Sequence, residues 1–69
     1  MKSLHQRLTT LDQQGRQYLL DYITMRNGFV YRNAHVLSHN EESIFINQEG
    51  KNETFINMED ISTAQIINL

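Results

Sequence analysis

The sequence contains no cysteine, so disulfides and thiolate metal sites are excluded, and a reducing compartment is the simplest setting for the chain. Proline is also absent, and glycine occurs only 3 times. Short strands can therefore run without a missing backbone N–H, and each glycine stands out as a turn marker. There is no apolar run long enough to span a membrane. Met1 to Thr10 lacks the apolar stretch of a signal peptide, and the expected location is the cytoplasm. No internal repeat, linker or low-complexity segment is visible. The 69 residues have room for one domain, 1–69. A domain this short buries only about 60% of its unfolded surface. With disulfides excluded, assembly with further subunits is the most economical extra source of stability.

Positive charge is scarce: 6 Lys and Arg stand against 8 Asp and Glu, for a net charge of −2. General nucleic-acid binders are usually basic. The charge is unevenly spread. Residues 1–32 hold Lys2, Arg7, Arg16, Arg26 and Arg32 against Asp12 and Asp21, a net +3, while residues 33–69 hold Lys51 against Glu41, Glu42, Glu49, Glu53, Glu59 and Asp60, a net −5. Two outcomes are open: one basic and one acidic surface, or a scatter of solvated charges.

Leu4, Leu8 and Leu11 recur at helical spacing. Ser3-Leu4-His5-Gln6 has the form of a capping box, and Gly15 is placed to end a helix in the left-handed region. A helix over about 3–14 follows, with one narrow leucine stripe that lies on something. From Gln17 the period changes to two. Tyr18, Leu20, Tyr22 and Thr24 alternate with Leu19, Asp21, Ile23 and Met25, residues that favour a strand over 17–26. Asn27-Gly28 is the strongest short hairpin signal, since both residues tolerate positive φ. Strands are expected over 29–37, 43–48, 53–58 and 61–67, with Ser38-His39-Asn40-Glu41 and Glu49-Gly50-Lys51-Asn52 as turns. The fold class is mainly β: a helix, then a five-stranded antiparallel meander. Such a sheet hides its edges by curling into a barrel or by pairing with neighbouring subunits.

The order of these elements resembles the Sm-like proteins, and particular residues resemble bacterial Hfq. Asn27-Gly28-Phe29 is similar to its Asn-Gly-apolar turn, Glu49-Gly50-Lys51 to its Gly-Lys turn, and Ile61-Ser62-Thr63 to the Ile-Ser-Thr stretch where its fourth strand passes into the fifth. The resemblance covers nearly the whole chain. It implies a strongly bent barrel and a homo-oligomeric ring, six subunits in that family. The fourth strand of one subunit would pair with the fifth of the next, with Phe55, Ile56, Met58, Ile61, Ala64 and Ile66 at the subunit interface. It also implies single-stranded RNA as a partner, purine-rich and bound through the first hairpin, for post-transcriptional regulation. Gly28, Phe29, Tyr31 and Thr63 fall on matching positions, with Arg26 and Arg32 beside them to meet phosphates. The alternative is that Phe29 and Tyr31 fill the core and the arginines are solvated.

The departures are specific. Asn57-Met58-Glu59 stands where the family carries the Tyr-Lys-His that binds uridine-rich RNA, so binding of that kind is expected to be lost or much weakened. The glycine of the second strand appears as Ala34 or Asn33, which leaves the bend of that strand in question. The acidic residue of the following loop appears as Asn40.

The sequence carries no case for catalysis, metal or cofactor. His5, His35 and His39 read as surface histidines, with no cysteine or carboxylate pair at ligand spacing. Glu41-Glu42 and Glu59-Asp60 read as loop solubilisers, and no nucleophile elbow or phosphate-binding glycine loop is present. Two rival functions remain: an Sm-fold protein-interaction module without RNA binding, and a monomeric SH3-like adaptor.

Overall fold

The computed structural model describes residues 2–69; Met1 and the Lys2 side chain, which enters the +3 count above, lie outside the described residues. One helix, α1 (Lys2–Gln13), precedes five strands: β1 (Tyr18–Met25), β2 (Val30–His39), β3 (Ser43–Gln48), β4 (Glu53–Asn57) and β5 (Ile61–Asn68). A single 3₁₀ turn, Met58–Asp60, joins β4 to β5. The expected helix and five antiparallel strands are therefore present; only β1 to β4 run as a meander, since β5 pairs with β1 and not with β4. Most boundaries move by one or two residues, and two of these shifts change a local reading. The helix begins ahead of Ser3, which places that residue within the first turn and not before it. Ser38 and His39 belong to β2, paired with Phe45 and Ile44, and the loop shrinks to residues 40–42.

Gly15 ends the helix as expected. At φ +68° it lets its own N–H reach the Asp12 carbonyl at 3.0 Å while Arg16 N–H reaches Leu11 at 3.1 Å. This is the paired closure of a Schellman motif, in which two otherwise orphaned carbonyls find donors. The first hairpin closes differently from a two-residue turn with both residues at positive φ. Gly28 N–H donates to Met25 C=O at 2.9 Å and Met25 N–H to Phe29 C=O at 2.7 Å. In this turn only Gly28 is left-handed, at φ +90°. A three-residue loop with glycine following the turn matches that pattern. The Asn27 Oδ1 contributes by accepting from Phe29 N–H at 3.0 Å.

The sheet order is β4-β3-β2-β1-β5, all neighbours antiparallel. Strict alternation fails in three places. Asp21 is an extra residue of β1 against β5, Ser62 is extra in β5 against β1, and Leu37 is extra in β2 against β3. The Asp21 bulge puts Leu20 and Ile23, rather than Leu20 and Tyr22, on the buried side. Opposite Asp21 lies Asn33, at φ +52°. It supplies the bend that a glycine would supply, because asparagine is among the few residues that visit the left-handed region. Val30 to Arg32 pair with β1 only, Ala34 with both neighbours, and His35 to His39 with β3 only. The strand thus turns from one half of the sheet to the other at Asn33.

The bend wraps one apolar core. Leu4, Leu8 and Leu11 of the helix meet Leu20, Ile23, Ala34, Ile44, Ile46, Ile56, Met58 and Ile61, so every strand contributes. The leucine stripe covers the sheet, as its narrowness requires. Asn40 orders the loop beneath: its Oδ1 accepts from Glu42 N–H, Ser43 N–H and Ser43 Oγ. Among the described residues β4 and β5 do not pair with one another, and each has one free edge.

Two substitutions test this account by thermal and urea unfolding. Asn33→Val should cost about 1–2 kcal/mol, while Asn33→Gly should stay within about 1 kcal/mol of wild type. Equal losses for both would mean that φ at residue 33 does not matter. Leu8→Ala should cost roughly 2–5 kcal/mol by leaving a cavity under the helix.

Candidate nucleic-acid interface

Cross-strand partners share a face, so the register sorts the side chains of β1, β2 and β5 into two sets. Ile23 is fully buried, and its partners Tyr31 and Ala64 pack against the same core. The neighbouring rows point the other way: Val30, Thr24 and Thr63 form one, and Arg32, Tyr22 and Gln65 the next.

This sorting divides the six residues expected to meet RNA. Tyr31 stands on the core side, half-buried, and Phe29 leans against it with ring centroids 4.8 Å apart. Phe29 itself remains 57% exposed, so it forms an apolar lip at the hairpin end of the core rather than a core residue. Arg32 and Thr63 lie on the opposite, solvent-facing side of the sheet. Arg26 and Gly28 sit at the hairpin tip, both exposed. The Arg26 N–H donates to the Asp60 carbonyl at 2.8 Å, and Met25, Arg26, Asn27 and Asp60 line a shallow depression there. This main-chain contact brings a residue of the basic half against the acidic turn. The structure keeps Phe29, Arg26 and Gly28 together, detaches Arg32 and Thr63 from them, and adds Tyr22 and Gln65 as their neighbours. Sequence alternation missed those two because it placed Tyr22 on the face of Leu20; only the bulge at Asp21 turns it outward.

The residues expected between subunits also divide. The side chains of Ile56, Met58 and Ile61 are buried in the chain's own core, so at an edge these residues offer backbone and not side chain. Phe55, by contrast, is 55% exposed on the edge strand and packs edge-on to Phe45 at 5.1 Å. Ala64 and Ile66 are half-buried against the core. Met58 also lies outside its expected strand, in the 3₁₀ turn, where its N–H donates to Glu42 C=O at 2.8 Å; Glu59 beside it is exposed.

No family model, curated protein or solved structure matches the chain. The site is therefore read from its own chemistry.

The histidines supply the clearest electrostatic feature. His35 is exposed as expected, but His39 is not a surface group: its side chain is 8% exposed. Its Nε2 lies 2.8 Å from Asp12 Oδ2 and its Nδ1 lies 2.7 Å from His5 Nδ1. The Tyr18 hydroxyl donates to the other Asp12 oxygen at 2.8 Å. A continuous chain of polar contacts, Tyr18–Asp12–His39–His5, thus ties α1 to the start of β1 and the end of β2. Desolvation pulls the Asp12 carboxyl upward, but the hydrogen bonds from His39 and Tyr18 and the charge of His39 outweigh it, and Asp12 titrates below its ordinary 3.8. Burial, followed by the Asp12 bond and charge, pushes the Tyr18 hydroxyl up. Asp12–His39 is the single contact of ion-pair geometry among the described residues, and it carries charge on both sides when His39 is protonated. Arg7, Arg16, Arg26 and Arg32 accordingly have no carboxylate within reach, and each is available to an external anion. No three potential metal ligands converge among the described residues.

A depressed carboxyl contributes stability that is present above its unfolded value and lost as pH falls through its folded one. Melting temperatures of wild type and Asp12→Asn should therefore differ at pH 6 and draw together below about pH 4. A difference that persists unchanged at pH 2.5 would assign the effect to packing and not to the charge of Asp12.

Proposed function

We propose that the chain is an Sm-like, self-assembling RNA-binding protein that takes single-stranded, purine-rich RNA at the end carrying the β1–β2 hairpin. What carries the reading is the sheet order β4-β3-β2-β1-β5, which leaves one free edge at each extreme of a bent sheet. Unpaired edges are stabilised by pairing with another chain, and the two edges of one copy suit a head-to-tail closure with further copies. Phe55 on one edge, and Ile67 and Leu69 on the other, are exposed and apolar, as such a junction needs. At the hairpin, the exposed Phe29 ring offers a stacking surface and Arg26 an uncommitted cation, the pairing that recognises a single strand without reading a duplex groove. The ordered resemblance of Asn27-Gly28-Phe29, Glu49-Gly50-Lys51 and Ile61-Ser62-Thr63 to Hfq supports the same reading, and Glu59 in place of a neutral or cationic residue argues for purine over uridine-rich RNA. The cytoplasm is the setting in which the role would be post-transcriptional regulation. No catalytic step, cofactor or metal enters the proposal.

A second reading, a protein-interaction module without RNA, draws on the net charge of −2 and the exposed Phe55 ring packed on the half-buried Phe45. Stoichiometric recovery of one protein from nuclease-treated lysate, with no RNA bound before treatment, would favour it.

Light scattering and fluorescence anisotropy decide between these. Wild type should run at a multiple of 8.1 kDa, and Phe55→Glu should fall to 8.1 kDa. Labelled oligoadenylate should bind the assembled protein more tightly than oligouridylate, with affinity falling steeply with salt. A wild-type mass of 8.1 kDa at micromolar concentration would remove the ring; no binding of either RNA at low salt would remove the function.

A further inference from the structure

Seven asparagines occur in the sequence, and glycine follows only Asn27. An asparagine side-chain amide can be attacked by the backbone nitrogen of the next residue, because the two close a five-membered ring. A side chain on that next residue crowds the approach, and glycine has none. No described atom stands within 4 Å of where a Cβ at Gly28 would lie, and Asn27 and Gly28 are both exposed at the hairpin tip.

The turn also arranges the reacting groups. Asn27 Oδ1 accepts from Phe29 N–H at 3.0 Å, so the side-chain carbonyl is folded forward along the chain. The Gly28 nitrogen lies inside the ring that this bond closes. The bond draws electron density from Asn27 Cγ and is in place to stabilise the negative charge that grows on Oδ1 as a nucleophile adds. The Gly28 N–H is tied to Met25 C=O at 2.9 Å, at an exposed tip where local opening costs least. Asn40 supplies a comparison within the chain. Its Oδ1 accepts from Glu42 N–H, Ser43 N–H and Ser43 Oγ, a stronger polarisation, but Glu41 follows it. The backbone N–H that follows Asn57 is bound to Glu42 C=O, and the one that follows Asn68 to Gln17 C=O.

We infer that Asn27 is a self-modification site, whose amide is lost through a cyclic imide formed with Gly28. When the turn opens at Met25, the Gly28 nitrogen gives its proton to hydroxide and bonds to Asn27 Cγ. The Cγ–amide bond then breaks, and ammonia leaves with a proton from water. Water opens the imide at either carbonyl. Opening at Cγ gives aspartate; opening at the main-chain carbonyl gives isoaspartate, with the chain rerouted through the former side chain. Water is the only co-reactant, and nothing is oxidised or reduced.

Both products add one negative charge to the net −2 and place it at the tip, between Arg26 and Asp60. Their effects on the turn differ. An aspartate oxygen still accepts from Phe29 N–H as the amide oxygen does. Isoaspartate adds a main-chain atom to a three-residue loop, which strains the closing bond from Met25 N–H to Phe29 C=O. The hairpin end thus carries a one-way change of charge and shape that needs no enzyme.

Peptide mapping by mass spectrometry tests this on the full chain held in mildly alkaline buffer. The peptide carrying Asn27 should gain one mass unit, in aspartate and isoaspartate forms, while Asn40 stays unchanged over the same time. In heavy-oxygen water the gain should be larger, since the new carboxylate takes an oxygen from solvent. The rate should rise about tenfold per pH unit, following the deprotonated fraction of the nitrogen. Gly28→Ala should slow it about tenfold or more, as a methyl group crowds the attack. Should that variant fail to fold, Glu41→Gly reads the same requirement by a gain: it should open Asn40 to the reaction. Asn27→Asp should melt near wild type, and the isoaspartate form separated from aged protein should melt lower. No gain at Asn27, a gain at Asn40 that keeps pace with it, or an Asn40 left unchanged in Glu41→Gly overturns the inference. None of these readouts involves RNA, so their failure leaves the RNA reading standing.

Discussion

The structure depends on a paired distortion at the middle of its sheet. Asp21 is one residue too many for β5 to match, and Asn33, across from it on β2, takes a left-handed backbone. Together they turn the sheet from one half to the other, so that Leu20, Ala34 and Ile46 face the same core as Ile23 and Ile61. A flat five-stranded sheet would leave one amphipathic helix to cover far more area than three leucines can. The bent sheet needs only Leu4, Leu8 and Leu11 to close it.

The same bend settles what the outer surface offers. By turning Tyr22 away from Leu20, the Asp21 bulge takes a large aromatic out of the core and sets it between Arg32 and Gln65. Tyr31 moves the other way, to the inner side, where it supports the exposed Phe29. A bulge that re-aims one side chain also chooses which chemistry the sheet presents, and here it separates two aromatic groups that sit in neighbouring stretches of sequence. The free edges of β4 and β5 follow from the strand order: β5 pairs with β1, β4 with β3, and the sheet stays open because these two outer strands do not pair with each other.

The polar chain beneath the helix is a different kind of constraint. Asp12 and His39 each make two defined contacts and Tyr18 and His5 one, and the two facing Nδ1 atoms of His5 and His39 require one ring to donate and the other to accept. Packing of three leucines alone would allow the helix to slide along the sheet; directional bonds at 2.7–2.8 Å from both its first and last turns remove that freedom.

The sequence by itself determined the element types and their order. Leucine at helical spacing, the change to period two at Gln17, Gly15, Asn27-Gly28 and Gly50 all act through contacts within a few residues, and local chemistry of that kind is legible in one dimension. The resemblance to Hfq also put the second-strand glycine at Ala34 or Asn33, and the left-handed backbone falls on Asn33. Only the tertiary structure decided which side each strand residue faces after a bulge, because one inserted residue inverts a period-two pattern and its position is set by the partner strand. It alone put Ile56, Met58 and Ile61 into the chain's own core, buried His39 against Asp12 and His5, and set Tyr22 beside Arg32. Those placements join residues from 6 to more than 30 positions apart, and nothing in the local sequence of either partner records the other.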